Sequence, residues 1–94
     1  MIKVMIERQV AVDLEQHYQK CAKATLQTAM SSHGFLSGES LQDHNDPNHR
    51  IIFANYRTLN DWHQWHQSKQ RQEIMDQLRP MLVDDEKITI MEHV

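Results

Sequence analysis

Hydrophobic side chains alternate with other residues in two segments of the chain, residues 2–7 and 87–93, and a third segment, residues 50–57, is a short, mostly apolar run. In the first segment Ile2, Val4 and Ile6 share one side of an extended backbone. A period of two residues is typical of β-strands, so the pattern predicts three strands. The strand at 50–57 carries apolar residues on both of its faces.

A fourth strand is predicted at residues 35–43, weakened or bulged at Gly38 because glycine offers no side chain to pack. Between it and the strand at 50–57 lies "HNDPNH", residues 44–49. Asn, Asp and Pro together favour a turn. The turn is expected to expose His44 and His49.

Two further regions follow the helical period of three and four residues. The first is predicted at 14–31, with Asp13 as N-cap, Gln16 completing a capping box, and a left-handed end at Gly34. Its stripe comprises Leu14, Tyr18, Cys21, Thr25, Leu26 and Ala29. The second region begins at Thr58, which forms a capping box with Asp61.

Ser68 caps a further helical segment within this second region. Its apolar stripe comprises Ile74, Met75, Leu78 and Leu82. Pro80 marks the end of the helix because its ring lacks the backbone N–H that a helix interior requires.

The predicted order is therefore βαββαβ within one domain of 94 residues. This is the α+β, ferredoxin-like arrangement, in which two helical regions cover one face of a four-stranded antiparallel sheet. On the other face of the sheet, Ile51 and Phe53 would be exposed to solvent. Large exposed apolar patches usually mark interfaces, so the pattern predicts a homodimer whose sheets pack face to face.

Charge and composition narrow the classes of function. The formal net charge is −3 and the ten basic residues are scattered, which argues against nucleic-acid binding. Two glycines cannot build a phosphate-binding glycine-rich loop, so neither a flavin nor a nicotinamide is expected. One cysteine, no signal-like segment and no long apolar run predict a cytoplasmic protein without membrane association.

The segment "TLNDWHQWHQSKQR" (58–71) holds both tryptophans of the chain. Helical angles predict Trp62 as an anchor on the sheet and Trp65 as a pocket wall. His63 and His66 lie three residues apart, a spacing that allows metal binding, but no third ligand has a supporting position. No metal is expected.

Three other residues bear on chemistry. Arg71 lies on the apolar side of its helix, so its stem extends along the apolar surface to solvent, it pairs with Asp61 or Glu7, or it faces a pocket as an anion clamp. Glu7 is a weak candidate for a general base and is otherwise the solvated end of a strand. Cys21 is expected to be a buried, unreactive thiol.

Three stretches, residues 34–43, 50–65 and 68–74, resemble the antibiotic biosynthesis monooxygenase domain family: "GFLSGESLQD", "RIIFANYRTLNDWHQW" and "SKQRQEI". The resemblance extends over nearly the whole chain. It implies a dimeric α/β barrel of ferredoxin-like chains. It also implies a branch of cofactor-independent oxygenases that act on quinols and polyketide aromatics, and a branch of haem-degrading enzymes.

The haem-degrading branch uses an Asn, a Trp and a His. Trp65 matches the Trp, but Glu7 and Met75 stand near the other two positions, so haem degradation is disfavoured. The resemblance instead favours a monooxygenase acting on a small electron-rich aromatic such as a quinol. It would need no cofactor, with Trp65, Tyr56, Asn55 and His66 binding substrate. A non-catalytic dimeric binding or stress-related module stays the alternative.

Overall fold

The computed structural model describes residues 1–94. In chain order the elements are β1 (Ile2–Gln9), α1 (Glu15–Ala29), β2 (Phe35–Asp43), β3 (Asp46–Tyr56), α2 (Leu59–His66), α3 (Lys69–Leu78), a 3₁₀ turn (Arg79–Met81) and β4 (Lys87–Glu92). None of the helices is long and apolar enough to cross a membrane.

The four strands form one antiparallel sheet in the order β2-β3-β1-β4. Ile6 stands opposite Ile52 on one side and Ile88 on the other. The predicted ferredoxin-like α+β fold is therefore confirmed. The alternating burial of β1 fits a strand with the helices on one face.

The core lies between the sheet and the helices in two clusters. The first contains Ile2, Val4, Ile6, Ala29, Ile52, Ala54, Tyr56, Trp62 and Trp65. The second contains Val10, Tyr18, Ala22, Met75 and Leu78. Burying one large apolar side chain contributes about 1.5–3 kcal/mol, so these clusters hold α1, α2 and α3 on the sheet.

The start of α1 differs from the prediction. Leu14 occupies the N-cap position without a side-chain cap, and the helix begins at Glu15. Asp13 has a φ of +72°, and its N–H donates to the Glu15 carboxylate at 3.2 Å. Asp13 therefore lies one residue before the N-cap, in a left-handed backbone, and the predicted cap at Asp13 with its capping box to Gln16 was wrong.

The β2–β3 hairpin is also tighter than predicted. Its loop is only residues 44–45, and β3 begins at Asp46, so His49 lies in a strand rather than a turn. Gly38 pairs regularly with Ala54, and the register shifts fall between Phe35 and Ser37 and between Gln42 and Asp43. The prediction of a bulge at Gly38 was therefore wrong.

The caps of α2 and α3 are confirmed. The Thr58 hydroxyl accepts a hydrogen bond from the Asp61 N–H, and the Ser68 hydroxyl accepts one from the Arg71 N–H, both at 3.1 Å. Each satisfies a backbone donor that the first helical turn leaves free. Ser68 therefore begins α3 directly after α2, and this start sets the position of Arg71 in the helix.

The sheet face away from the helices is less buried. On β1 and β3 it carries Lys3, Met5, Glu7, Ile51, Phe53 and Asn55, all half-buried. Leu41 of β2 stands opposite Ile51 and is 43 % exposed. We call this surface, defined by these seven residues, the open sheet face. The predicted homodimer interface would lie here.

Candidate functional site

An apolar cavity lies between the helices and the sheet. Its lining is Ile6, Arg8, Ala22, Thr25, Leu26, Ala29, Phe35, Ile52, Ala54, Tyr56, Trp62, Trp65 and Arg71. The centres of water molecules can occupy about 30 Å³ of it, enough for about two waters. Apolar walls with a few convergent polar groups are typical of small-molecule sites.

Aromatic rings form a continuous wall of the cavity. The Phe35 and Tyr56 rings meet edge to face with centroids 5.5 Å apart, and Tyr56 and Trp62 do so at 5.6 Å. Trp65 also lines the cavity, as the sequence predicted for a pocket wall. Trp62 is fully buried in the core and lines the cavity as well, so its position suits both packing and ligand contact.

Tyr56 places a hydroxyl group near this wall. Its oxygen lies 2.9 Å from the Ser32 hydroxyl oxygen, and either group can donate the hydrogen bond. Burial raises the pKa of Tyr56, against the opposing effects of Ser32 and Arg71. Tyr56 is therefore a neutral hydrogen-bonding group at physiological pH.

Arg71 is the charged residue whose partner the sequence left open. It is 3 % exposed, and its Nη2 donates to Glu86 Oε1 at 2.6 Å. The predicted partners Asp61 and Glu7 were both wrong. The chain after the 3₁₀ turn pairs residues 82–83 with the end of β1, and this pairing carries Glu86 to the arginine.

Arg8 is a site residue that sequence reasoning did not single out. Its Nε donates to Glu86 Oε2 at 2.9 Å and its Nη1 donates to the Tyr18 hydroxyl at 3.2 Å. The available signal was the strand period, which places position 8 on the same face as Ile6. Glu86 carried no such signal because it lies in the irregular segment before β4.

The three ionised groups influence one another strongly. Burial alone would raise the pKa of Glu86, but Arg8 and Arg71 outweigh burial and hold that pKa below its ordinary value of 4.5. Burial lowers the pKa of Arg8, but Tyr18 and Glu86 outweigh it and the pKa is raised. Glu86 is therefore ionised and Arg8 is charged at neutral pH.

Two predicted site residues lie on the open sheet face instead of the cavity. Glu7 lies 3.6 Å from His49 Nε2, and Asn55 donates to the Ser37 hydroxyl at 2.9 Å. His49 also contacts Asp43 at 2.9 Å; that hydrogen bond, more than the one to Glu7, raises the pKa of His49. Neither Glu7 nor Asn55 reaches a ligand in this cavity.

His66 lies behind the cavity wall. Its ring stacks on Trp62 with centroids 5.3 Å apart, but it is not a lining residue. Burial, followed by the charge of Arg71, lowers the pKa of His66. No group of three His, Cys, Asp or Glu side chains is placed to hold a metal ion, and His63 is exposed.

The residues present do not fit haem. Glu7 faces the other side of the sheet, and Met75 is fully buried in the second core cluster, where Arg8 contacts its sulfur at 3.8 Å. The cavity lining contains no histidine, the residue that most often ligates haem iron. Cys21 is half-buried against the same cluster.

Solved structures share this fold. A conserved protein from Methanosarcina mazei Go1 superposes with a TM-score of 0.90 at 19 % identity, over 97 % of this chain and 90 % of that chain. SnoaB, a cofactor-independent oxygenase from Streptomyces nogalater, superposes with a TM-score of 0.88 at 10 % identity, over 98 % and 91 %. At such identities the similarity shows the fold alone.

A structure described as an antibiotic biosynthesis monooxygenase superposes with a TM-score of 0.91 at 12 % identity, over 100 % of this chain and 99 % of that chain. No curated protein is significantly similar in sequence. The sequence model of the antibiotic biosynthesis monooxygenase family matches residues 1–77, and this match supports a monooxygenase-type function. The chain belongs to the antibiotic biosynthesis monooxygenase family.

Proposed function

We propose that the protein is a cofactor-independent monooxygenase that acts on a small electron-rich aromatic molecule such as a quinol. The observation that carries this proposal is the apolar cavity, which combines an aromatic wall with the buried guanidinium groups of Arg8 and Arg71. A ring would pack against Trp62 and Trp65. The Tyr56 hydroxyl would supply a hydrogen bond and Arg71 a fixed positive charge.

In the proposed reaction the substrate itself reduces dioxygen. The quinol loses a phenolic proton to water, and electrons pass from the resulting anion to O₂. One oxygen atom forms a new bond to a ring carbon, and the other leaves as water. The two quinol hydroxyl groups end as carbonyls, so a quinol and O₂ give a hydroxyquinone and one water.

The chain would contribute orientation and electrostatics to this reaction. A buried cation stabilises a developing anion far better in an apolar cavity than in water. The space now open, about 30 Å³, is smaller than an aromatic ring. Substrate binding would therefore have to move part of the wall outward, and the bound ring would then occupy space that water can otherwise fill.

We also propose a homodimer formed through the open sheet face. This face presents Ile51, Phe53 and Leu41 beside charged neighbours. Exposed apolar side chains grouped in this way usually mark an interface.

Oxygen uptake tests the proposal directly. An oxygen electrode should record consumption that scales with protein concentration for at least one member of a panel of benzene and naphthalene quinols, above their uncatalysed oxidation. Trp65→Leu should lower kcat/KM about tenfold or more, because loss of the wall misplaces the ring. Leu59→Ala is the matched control, since Leu59 is an exposed residue of the same helix.

Uptake no faster than the uncatalysed rate for every quinol, with the protein folded, would contradict the enzyme. The alternative is a non-catalytic dimeric module that binds a small molecule. The absence of any carboxylate among the lining residues favours this alternative, because a cavity base is then missing. It predicts ligand binding without oxygen uptake.

A further inference from the structure

We propose that the cavity binds its ligand as an anion. The ring lies among the apolar lining residues, and a negatively charged oxygen of the ligand bonds to Arg71. This inference rests on the cavity being the ligand site, as proposed above, but it does not depend on any reaction with oxygen. It narrows the ligand class to small aromatics that carry a phenolate or carboxylate.

The charge balance around the cavity supports an anion. Arg8 and Arg71 both line it, and the only carboxylate that contacts either of them is Glu86. Positive charge therefore exceeds negative charge in a region with little water, and an anionic ligand would offset the excess.

Hydrogen bonding distinguishes the two cavity arginines. Arg8 donates from all three of its side-chain nitrogens: Nε donates to Glu86, Nη1 to Tyr18 and Nη2 to the Met75 sulfur. Arg71 donates from its side chain to Glu86 alone, through Nη2. A guanidinium carries five N–H donors, so Arg71 keeps N–H groups for a ligand.

These contacts give the arginines different roles. Arg71 would be the anchor that touches the ligand. Arg8 would be a positioning residue, because it holds the second oxygen of the Glu86 carboxylate and so fixes the partner of Arg71. The Arg71 guanidinium lies 5.9 Å from the centre of the Trp62 ring. A ligand oxygen on Arg71 therefore leaves its ring close to the aromatic wall.

The α1 side of the cavity is suited to making room for a ring. Of its four lining residues there, Ala22, Thr25 and Ala29 have small side chains and only Leu26 is large. Moving this wall outward exposes less apolar area than moving the tryptophans would, and the cost scales with that area.

The test uses probes that differ in charge but not in shape. Benzoate and benzamide are matched in size, and binding is followed by tryptophan fluorescence, since both tryptophans line the cavity. The native protein should bind benzoate about tenfold or more tightly than benzamide. A second probe, 4-nitrophenol, absorbs visible light only as the anion. Its pKa should fall by about one unit or more when bound, which is the same tenfold preference.

Arg71→Met, which keeps an apolar stem, should abolish both preferences, whereas Arg71→Lys should retain part of them. Arg79→Met is the matched control, because Arg79 follows the same helix with a 42 % exposed side chain and should leave both preferences unchanged. Equal affinity for benzoate and benzamide, or binding of neither, would overturn the inference in the native protein without any variant. Absent oxygen uptake would overturn the reaction but leave the preference intact.

Discussion

Glu86 is the residue on which the charged part of the cavity depends. Its carboxylate bonds Arg8 through one oxygen and Arg71 through the other, and its side chain is 5 % exposed. Exposed pairs such as Arg79 with Asp76 contribute at most about 1 kcal/mol. Removing one member of a buried ion pair costs more, because the remaining charges lose their partner and are also shielded from water.

Glu86→Gln should therefore lower the free energy of unfolding by about 3–5 kcal/mol, since two buried guanidinium groups lose their counter-ion. Urea unfolding followed by circular dichroism at neutral pH measures this loss. Glu73→Gln is the matched control: Glu73 is exposed on α3 and should change stability by less than about 0.5 kcal/mol. A loss as small as that of the control would show that Glu86 is not the stabilising counter-ion.

The same residue predicts a dependence on pH. Because the folded pKa of Glu86 lies below its ordinary value of 4.5, ionised Glu86 stabilises the fold fully above that value. This stabilisation is lost as the pH falls through the lowered pKa of the folded state. The stability difference between the native protein and Glu86→Gln should therefore narrow in acid. A constant difference down to strongly acidic pH would contradict the assignment.

At this scale the sequence predicted some residues better than others. The helical period indicated Arg71 on an apolar face, and the strand period would have indicated Arg8. The partner Glu86 was out of reach, because its position depends on a long-range pairing after an irregular segment. Asn55 and Glu7 were placed in the site from their sequence neighbourhood, although strand alternation puts them on the opposite face from Ile6 and Tyr56.

At the scale of elements, the starts of the helices show where local sequence is enough to predict the structure. Thr58 and Ser68 have extended backbones and cap α2 and α3 through their hydroxyl groups. Aspartate is a residue type that favours the N-cap position, but the backbone of Asp13 is left-handed. The tight connection from β1 to α1 imposes the left-handed backbone, and no pattern of residue types around Asp13 indicated it.

Two substitutions separate a true cap from an apparent one. Thr58→Ala should cost about 1 kcal/mol, because the Asp61 N–H loses its acceptor. Asp13→Gly should leave stability equal or raise it, since glycine adopts positive φ without steric cost. Thermal unfolding of both variants measures the contrast. A cost for Asp13→Gly as large as that for Thr58→Ala would mean that Asp13 contributes through its side chain.

For the whole molecule, the order of elements and the sheet were predictable because each segment has a clear period and few topologies fit six elements in 94 residues. The cavity was not predictable in the same way. It is formed where three helices and the sheet meet, and its free volume depends on packing details that no local pattern encodes. Of its lining residues, only Trp65, Tyr56 and Arg71 were named from the sequence as candidates for a pocket.

The open sheet face carries the prediction about assembly. Phe53→Glu should convert the proposed dimer to a monomer, because two copies of a buried carboxylate would have to lose water on association. Val12→Glu is the control, since Val12 is 78 % exposed outside this face. Light scattering measures both masses. A native mass equal to one chain, or a dimer that survives Phe53→Glu, would contradict an interface centred on this face.

The central claim is that the cavity between the helices and the sheet is the ligand site. The most direct measurement is a crystal structure of the protein grown with 4-nitrophenol at alkaline pH, where the probe is an anion. We expect electron density for the ring beside Trp62 and Trp65, with the phenolate oxygen on Arg71 and the α1 wall displaced outward. Density for the probe elsewhere, with this cavity still closed, would contradict the account.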